Sequence, residues 1–140
     1  MRKAGPRPDV LVVAVGATVH PALAAAEALA KEGVDAAVVD ARFVKPLDEE
    51  LVCGLAARAR RVVTVEESAL AGGFGAACLE AFERQGLLEA GLKVKRLGLP
   101  DQFVTHGDAN KQRAEMGLDA AGIAAACRAL VGDRRASGVA

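Results

Sequence analysis

Asp9-Val10-Leu11-Val12-Val13-Ala14-Val15, followed at once by Gly16-Ala17-Thr18, decides the fold. Six apolar residues in a row leave no polar face, so the segment predicts a short strand buried on both sides, the kind found inside a parallel sheet. Gly16-Ala17-Thr18 turns the chain, and Thr18 is placed to cap a helix whose first turn contains Pro21, where a missing N–H costs little. That helix is predicted to run to about Lys31, with Leu23, Ala26, Leu29 and Ala30 on one face and Gly33 at its end.

The same alternation continues outward. Ala36-Ala37-Val38-Val39-Asp40 reads as a second strand, and Phe43-Val44-Lys45-Pro46 leads out of it. Asp48 is placed to cap a second helix, with Glu49 and Glu50 against its positive end and Leu51, Val52, Leu55 and Ala59 as its apolar stripe. Arg61-Val62-Val63-Thr64-Val65-Glu66 is a third strand, residues 76–85 a third helix, and Val94-Lys95-Arg96-Leu97-Gly98-Leu99 a fourth strand. Asp108 can cap a short helix ending at Gly117, and Asp119 a last one reaching Val131. Strands alternating with helices predict the α/β class, a largely parallel sheet covered on both faces. Residues 9–131 form one domain in this reading, 1–8 a linker or chain end, and 132–140 a flexible tail.

Composition narrows the function. Of 140 residues, 52% are apolar, enough for a core. Eighteen basic residues balance eighteen acidic ones, there is no Trp or Tyr, and only four Phe are present. Neither a basic stripe nor stacking platforms for nucleic acid are therefore available. The longest apolar stretch falls far short of the ~20 residues of a bilayer span, and the basic N-terminus lacks the apolar core of a signal peptide. Cys53, Cys78 and Cys127 are odd in number and widely spaced, with no CxxC pair. They read as core cysteines of a protein from the reducing cytoplasm, not as zinc ligands or disulfides.

Several groups invite a functional reading. Gly16-Ala17-Thr18 lies where helix N-termini bind anions, but without GxGxxG or a P-loop it reads as an ordinary turn. Gly72-Gly73-Phe74-Gly75 precedes a helix; with no P-loop Lys it reads as a tight turn allowing close approach of a neighbouring domain or subunit. Glu66 and Glu67 end a strand at the carboxyl edge of the sheet, pointing to opposite faces. Glu66 is the candidate structural carboxylate, able to accept bonds from loop N–H groups. His20 and His106 are the only histidines. Asp101, His106 and Asp108 could suggest a triad or metal site, but no GxSxG nucleophile accompanies them, and a structural histidine is the plainer reading. Gly107-Asp108-Ala109-Asn110 only faintly echoes a magnesium–diphosphate motif, since its Asn follows too soon.

Gly98-Leu99-Pro100-Asp101-Gln102-Phe103-Val104-Thr105-His106-Gly107, with Gly117-Leu118-Asp119-Ala120-Ala121-Gly122, resembles the C-terminal signature of the 1-deoxy-D-xylulose-5-phosphate synthase family of transketolase-type enzymes. Asp40-Ala41-Arg42-Phe43-Val44-Lys45-Pro46-Leu47-Asp48 and Val63-Thr64-Val65-Glu66-Glu67 with Gly72-Gly73-Phe74-Gly75 are similar to segments of the same domain. They also occur in the β-subunits of 2-oxo-acid dehydrogenases. The resemblance implies a three-layer α/β/α domain around a five-stranded mixed sheet with one antiparallel strand, the fifth falling within residues 103–106 or elsewhere. It implies an intact homodimeric enzyme that uses thiamine diphosphate and magnesium to condense pyruvate with glyceraldehyde 3-phosphate. The catalytic, cofactor-binding and metal-binding residues of that family lie in preceding domains, so none is assigned here and the chain alone is expected to be inactive. Gly72, Gly73, Phe74, Gly75, Asp101 and His106 are the candidate contacts to those domains or to a second subunit. The matching domain of a 2-oxo-acid dehydrogenase β-subunit and a stand-alone anion- or nucleotide-binding module using residues 16–18 are the competing readings.

Overall fold

A computed structural model describes residues 5–41, 48–69, 73–99 and 114–136. Four strands, β1 (Val10–Ala14), β2 (Ala36–Asp40), β3 (Arg61–Ala69) and β4 (Lys93–Leu99), form a sheet in the order β2-β1-β3-β4. Every pairing is parallel. Helices α1 (Val19–Lys31), α2 (Glu49–Ala59), α3 (Phe74–Arg84) and α4 (Ala120–Ala136) complete the described elements. The antiparallel fifth strand is not among the described residues, and 103–106 lie outside them.

All five residues of β1 are buried, because it runs through the middle of the sheet. Its side chains alternate between two cores. Val10, Val12 and Ala14 pack with Val38, Val63 and Val65 under α1 and α4, against Ala25, Leu29, Ile123 and Cys127. Leu11 and Val13 pack with Val39 and Val62 under α2 and α3, against Val52, Ala56, Phe74 and Phe82. The result is a three-layer α/β/α domain, as the sequence predicts.

Two predicted helix caps form. Asp48 accepts a bond from the Leu51 N–H at 3.0 Å, and Asp119 from the Gly122 N–H at 2.9 Å. The segment around Asp119 is shaped by backbone contact. Gly117 has φ +74°, Leu118 is buried, and a Cβ on Gly122 would lie 2.4 Å from the Gly117 carbonyl oxygen. The Gly-Leu-Asp-Ala-Ala-Gly stretch is thus a tight entry into α4, in which both glycines are required.

Other details differ from the sequence reading. Thr18 immediately precedes α1 but does not cap it. A 3-10 turn at Gly16–Thr18 has already given Thr18 helical dihedrals, so its hydroxyl cannot reach the next turn. Helix α2 is rotated from its predicted stripe: Leu51 is 42% exposed, and small Cys53 and Ala56 face the sheet with Val52 and Ala59. Helix α3 begins at Phe74, and β3 continues three residues beyond Glu66. Helix α4 continues to Ala136, past the expected end at Val131. At the other end, Pro8 is buried and the Gly5 N–H reaches Asp35 Oδ2 at 2.8 Å, so the packed domain starts before Asp9.

Candidate functional site

In an open parallel sheet the ligand crevice lies at the carboxyl edge, where successive connections leave in opposite directions. Here that point falls between β1 and β3. It is formed by the turn after β1, the end of β3, and the start of α3.

The turn after β1 is closed upon itself. Gly16 takes φ +64°, and Thr18 is 1% exposed. The Thr18 hydroxyl accepts from the Val15 N–H at 3.1 Å and lies 2.7 Å from the Val15 carbonyl and 3.1 Å from that of Val65. The Thr18 and Val19 amides bond within the turn, and Pro21 has none to offer. The donors that an anion would need at this helix start are largely engaged.

The end of β3 carries the buried charge. Glu66 is 1% exposed, whereas Glu67 is exposed, as the pleat requires. Pairing with β4 shifts between Val65 and Ala69: these partner Leu97 and Leu99, so β3 has two more residues than β4 across that interval. Glu66 lies within this bulged interval. Glu66 Oε2 accepts from the Gly75 N–H at 3.1 Å, near the positive end of α3. Gly73, the N-cap of α3, has no side chain for that task, so Glu66 provides it from the neighbouring strand. Gly75 is held close to the sheet, where a Cβ would lie 2.8 Å from Thr64 Oγ1 and 3.0 Å from Arg96 Cδ. Thr64 Oγ1 and Glu66 Oε1 are buried without a partner among the described residues.

The structure therefore brings Glu66, Gly73, Phe74 and Gly75 together. Glu66 does bond an N–H at the start of the following helix. Phe74 is 2% exposed within the α2–α3 core, and Gly75 faces β3, so both serve the interior of this domain. Gly72, Asp101, His106 and Asp108 lie outside the described residues. His20 is exposed near the start of α1. Among the described residues no three His, Cys, Asp or Glu side chains are placed to hold a metal ion. Cys53, Cys78 and Cys127 are free and buried. Burial pushes Cys78 and Cys127 up to about 12, the Glu66 charge adding to the effect at Cys78. Sequence reasoning missed Thr64 as part of this cluster. Its signal was a lone hydroxyl in an apolar strand, two residues before the carboxylate.

Fold and site together define a three-layer α/β/α domain whose switch point, over the described residues, anchors helix starts. Residues 1–123 match the transketolase C-terminal domain family, and the chain belongs to that family. It is 74% identical over 134 residues to 1-deoxy-D-xylulose-5-phosphate synthase of Anaeromyxobacter sp. strain K, covering 96% of this chain and 21% of the relative. It is 51% identical over 123 residues to 1-deoxy-D-xylulose-5-phosphate synthase 1 of Geobacter sulfurreducens, covering 88% and 19%. A solved structure described as a split-gene transketolase, an inactive β4 tetramer, superposes with a TM-score of 0.76 at 35% identity, over 89% of this chain and 40% of that one. The chain spans about a fifth of the length of the curated relatives it matches. Among the described residues no helix is long and apolar enough to cross a membrane.

Proposed function

We propose that this chain is the C-terminal domain of a 1-deoxy-D-xylulose-5-phosphate synthase, with an assembly role and no activity alone. The observation that carries this is 74% identity over nearly the whole chain to about a fifth of such an enzyme. The enzyme would condense pyruvate and glyceraldehyde 3-phosphate, releasing carbon dioxide, with thiamine diphosphate and magnesium as cofactors. The residues described here do not fit that cofactor. They offer no acidic cluster for magnesium, the amides at the α1 start are largely engaged, and the one buried carboxylate at the sheet edge holds α3. Cofactor binding is therefore assigned to preceding domains.

The partners in this reading are those domains and a second copy of the enzyme. Gly73 remains the described candidate contact, with Gly72, Asp101 and His106 beyond the described residues. That the split-gene transketolase neighbour is an inactive tetramer supports self-association without activity for a separated piece. Three unpaired thiols support a reducing, cytoplasmic location.

The test is a chimera in which this chain replaces the last fifth of the Anaeromyxobacter synthase. Thiamine- and magnesium-dependent formation of 1-deoxy-D-xylulose 5-phosphate is expected from the chimera, and none from the chain alone. A folded, dimeric chimera that makes no product would overturn the assignment.

A further inference from the structure

We propose that a single buried water molecule bridges Thr64 Oγ1 and Glu66 Oε1 beneath the start of α3. Both atoms are inaccessible, in residues 0% and 1% exposed, and neither has a partner among the described residues. Native interiors rarely leave such atoms unpaired, and ordered water is the usual partner where direct contact fails. Thr64 and Glu66 are two residues apart on β3, so their side chains leave the same face about 7 Å apart along the strand. Two hydrogen bonds of about 2.8 Å each, meeting at a water's near-tetrahedral angle, span about 4.6 Å, and the long Glu66 side chain can make up the difference.

The surroundings specify what can sit there. Gly75 lies against both groups: its N–H donates to the other Glu66 oxygen, and a side chain on it would run into the Thr64 hydroxyl. A water can donate to the carboxylate and exchange a bond with the hydroxyl, which both donates and accepts. Two oxygens are too few for a hard metal cation, which takes about six. Val62 and Phe74 from the same core are apolar, and Arg96, the register partner of Thr64, brings its Cγ and Cδ alongside Gly75. The Cys78 thiol, pushed up to about 12, stays protonated and brings no second charge. Thr64, the water, Glu66 and Gly75 then form one continuous chain from the centre of β3 to the first turn of α3.

A crystal structure of the full chain, at a resolution that orders solvent, tests this directly. One peak is expected at about 2.6–3.2 Å from both oxygens. A direct Thr64–Glu66 bond, no density between them, or a peak ringed by five or more oxygens at cation distances would each overturn the proposal. Thr64→Val keeps the shape and removes the hydroxyl. In that variant the peak is expected to vanish while the Glu66–Gly75 bond persists; an unmoved peak would show that Thr64 does not hold it. If Thr64→Val fails to fold, the wild-type density decides alone.

Discussion

Replacing Gly122 with alanine reverses the usual effect of that change in a helix. Alanine normally favours a helix interior over glycine by ~1 kcal/mol. At Gly122 the new methyl would meet the backbone of Gly117, with the carbonyl oxygen at 2.4 Å and both carbons at 2.5 Å, where ordinary contact begins at 3.4 Å. The start of α4 must therefore retreat by about 1 Å, and no flexible side chain is available to yield instead. Overpacking of this kind costs ~1–3 kcal/mol, and disturbing the Asp119 cap, which bonds the Gly122 N–H itself, costs ~1 more. Set against the alanine preference, the net loss is ~2 kcal/mol, which lowers the melting temperature of a chain this size by roughly 8 °C. Gly132 in the same helix has open space around its missing Cβ, so Gly132→Ala should raise stability by up to ~1 kcal/mol. Thermal unfolding followed by circular dichroism on both variants is the assay. Equal shifts of the same sign, or an unchanged Gly122→Ala, would refute the close-approach argument.

The other expectations follow from single contacts. Asp48→Ala removes the acceptor of the Leu51 N–H and should cost ~1 kcal/mol in urea unfolding; Asp48→Asn should recover most of it. Cys78 and Cys127 should resist a thiol reagent at pH 8 in the folded chain and react on unfolding. Their folded values of about 12 lie above the ordinary 9.0, so the unfolded chain loses protons first and stability should fall as pH rises from 9 towards 12. A pH titration of the urea midpoint checks this, and a flat profile in that window would contradict it. Gly73→Glu should weaken subunit association in the intact enzyme, measured by mass, while leaving the melting temperature of the isolated chain unchanged. Gly75→Glu should unfold the domain itself, because Thr64 and Arg96 leave it no room.

The order of elements was legible because β1 has no polar face and two of the helices, α2 and α4, open on an acidic cap. Asp48 and Asp119 were readable as caps because a short acidic side chain before an apolar run has one common use. Thr18 looked equally suitable, yet it closes a 3-10 turn and its hydroxyl goes to the carbonyls of Val15 and of Val65 on β3. The extent of β3 past Glu66 depends on a bulge against β4, a property of two strands at once that one pattern does not carry. For α2, stripes containing Leu51 or Cys53 differ by a small rotation, and the sheet selected the one with smaller side chains. That the Glu66 carboxylate could take a loop N–H was readable, although β3 runs three residues past the strand end expected there. Phe74 was not readable as a core residue, because glycines on both sides concealed its place at the first turn of a helix.

The division of β1 between two cores affects how substitutions can compensate one another. Val12 and Val13 are neighbours in the chain, yet among the described residues they belong to separate core clusters. A loss of volume at Val12 can be repaired from α1 or α4, through Leu29 or Ile123, but not from α2 or α3. The two faces can therefore drift, or be redesigned, as separate inheritances, and whole helices could be exchanged between relatives on one side without retuning the other. Only a slip of β1 by one register position would exchange their contents, moving Leu11 and Val13 into the space shaped for Val10, Val12 and Ala14.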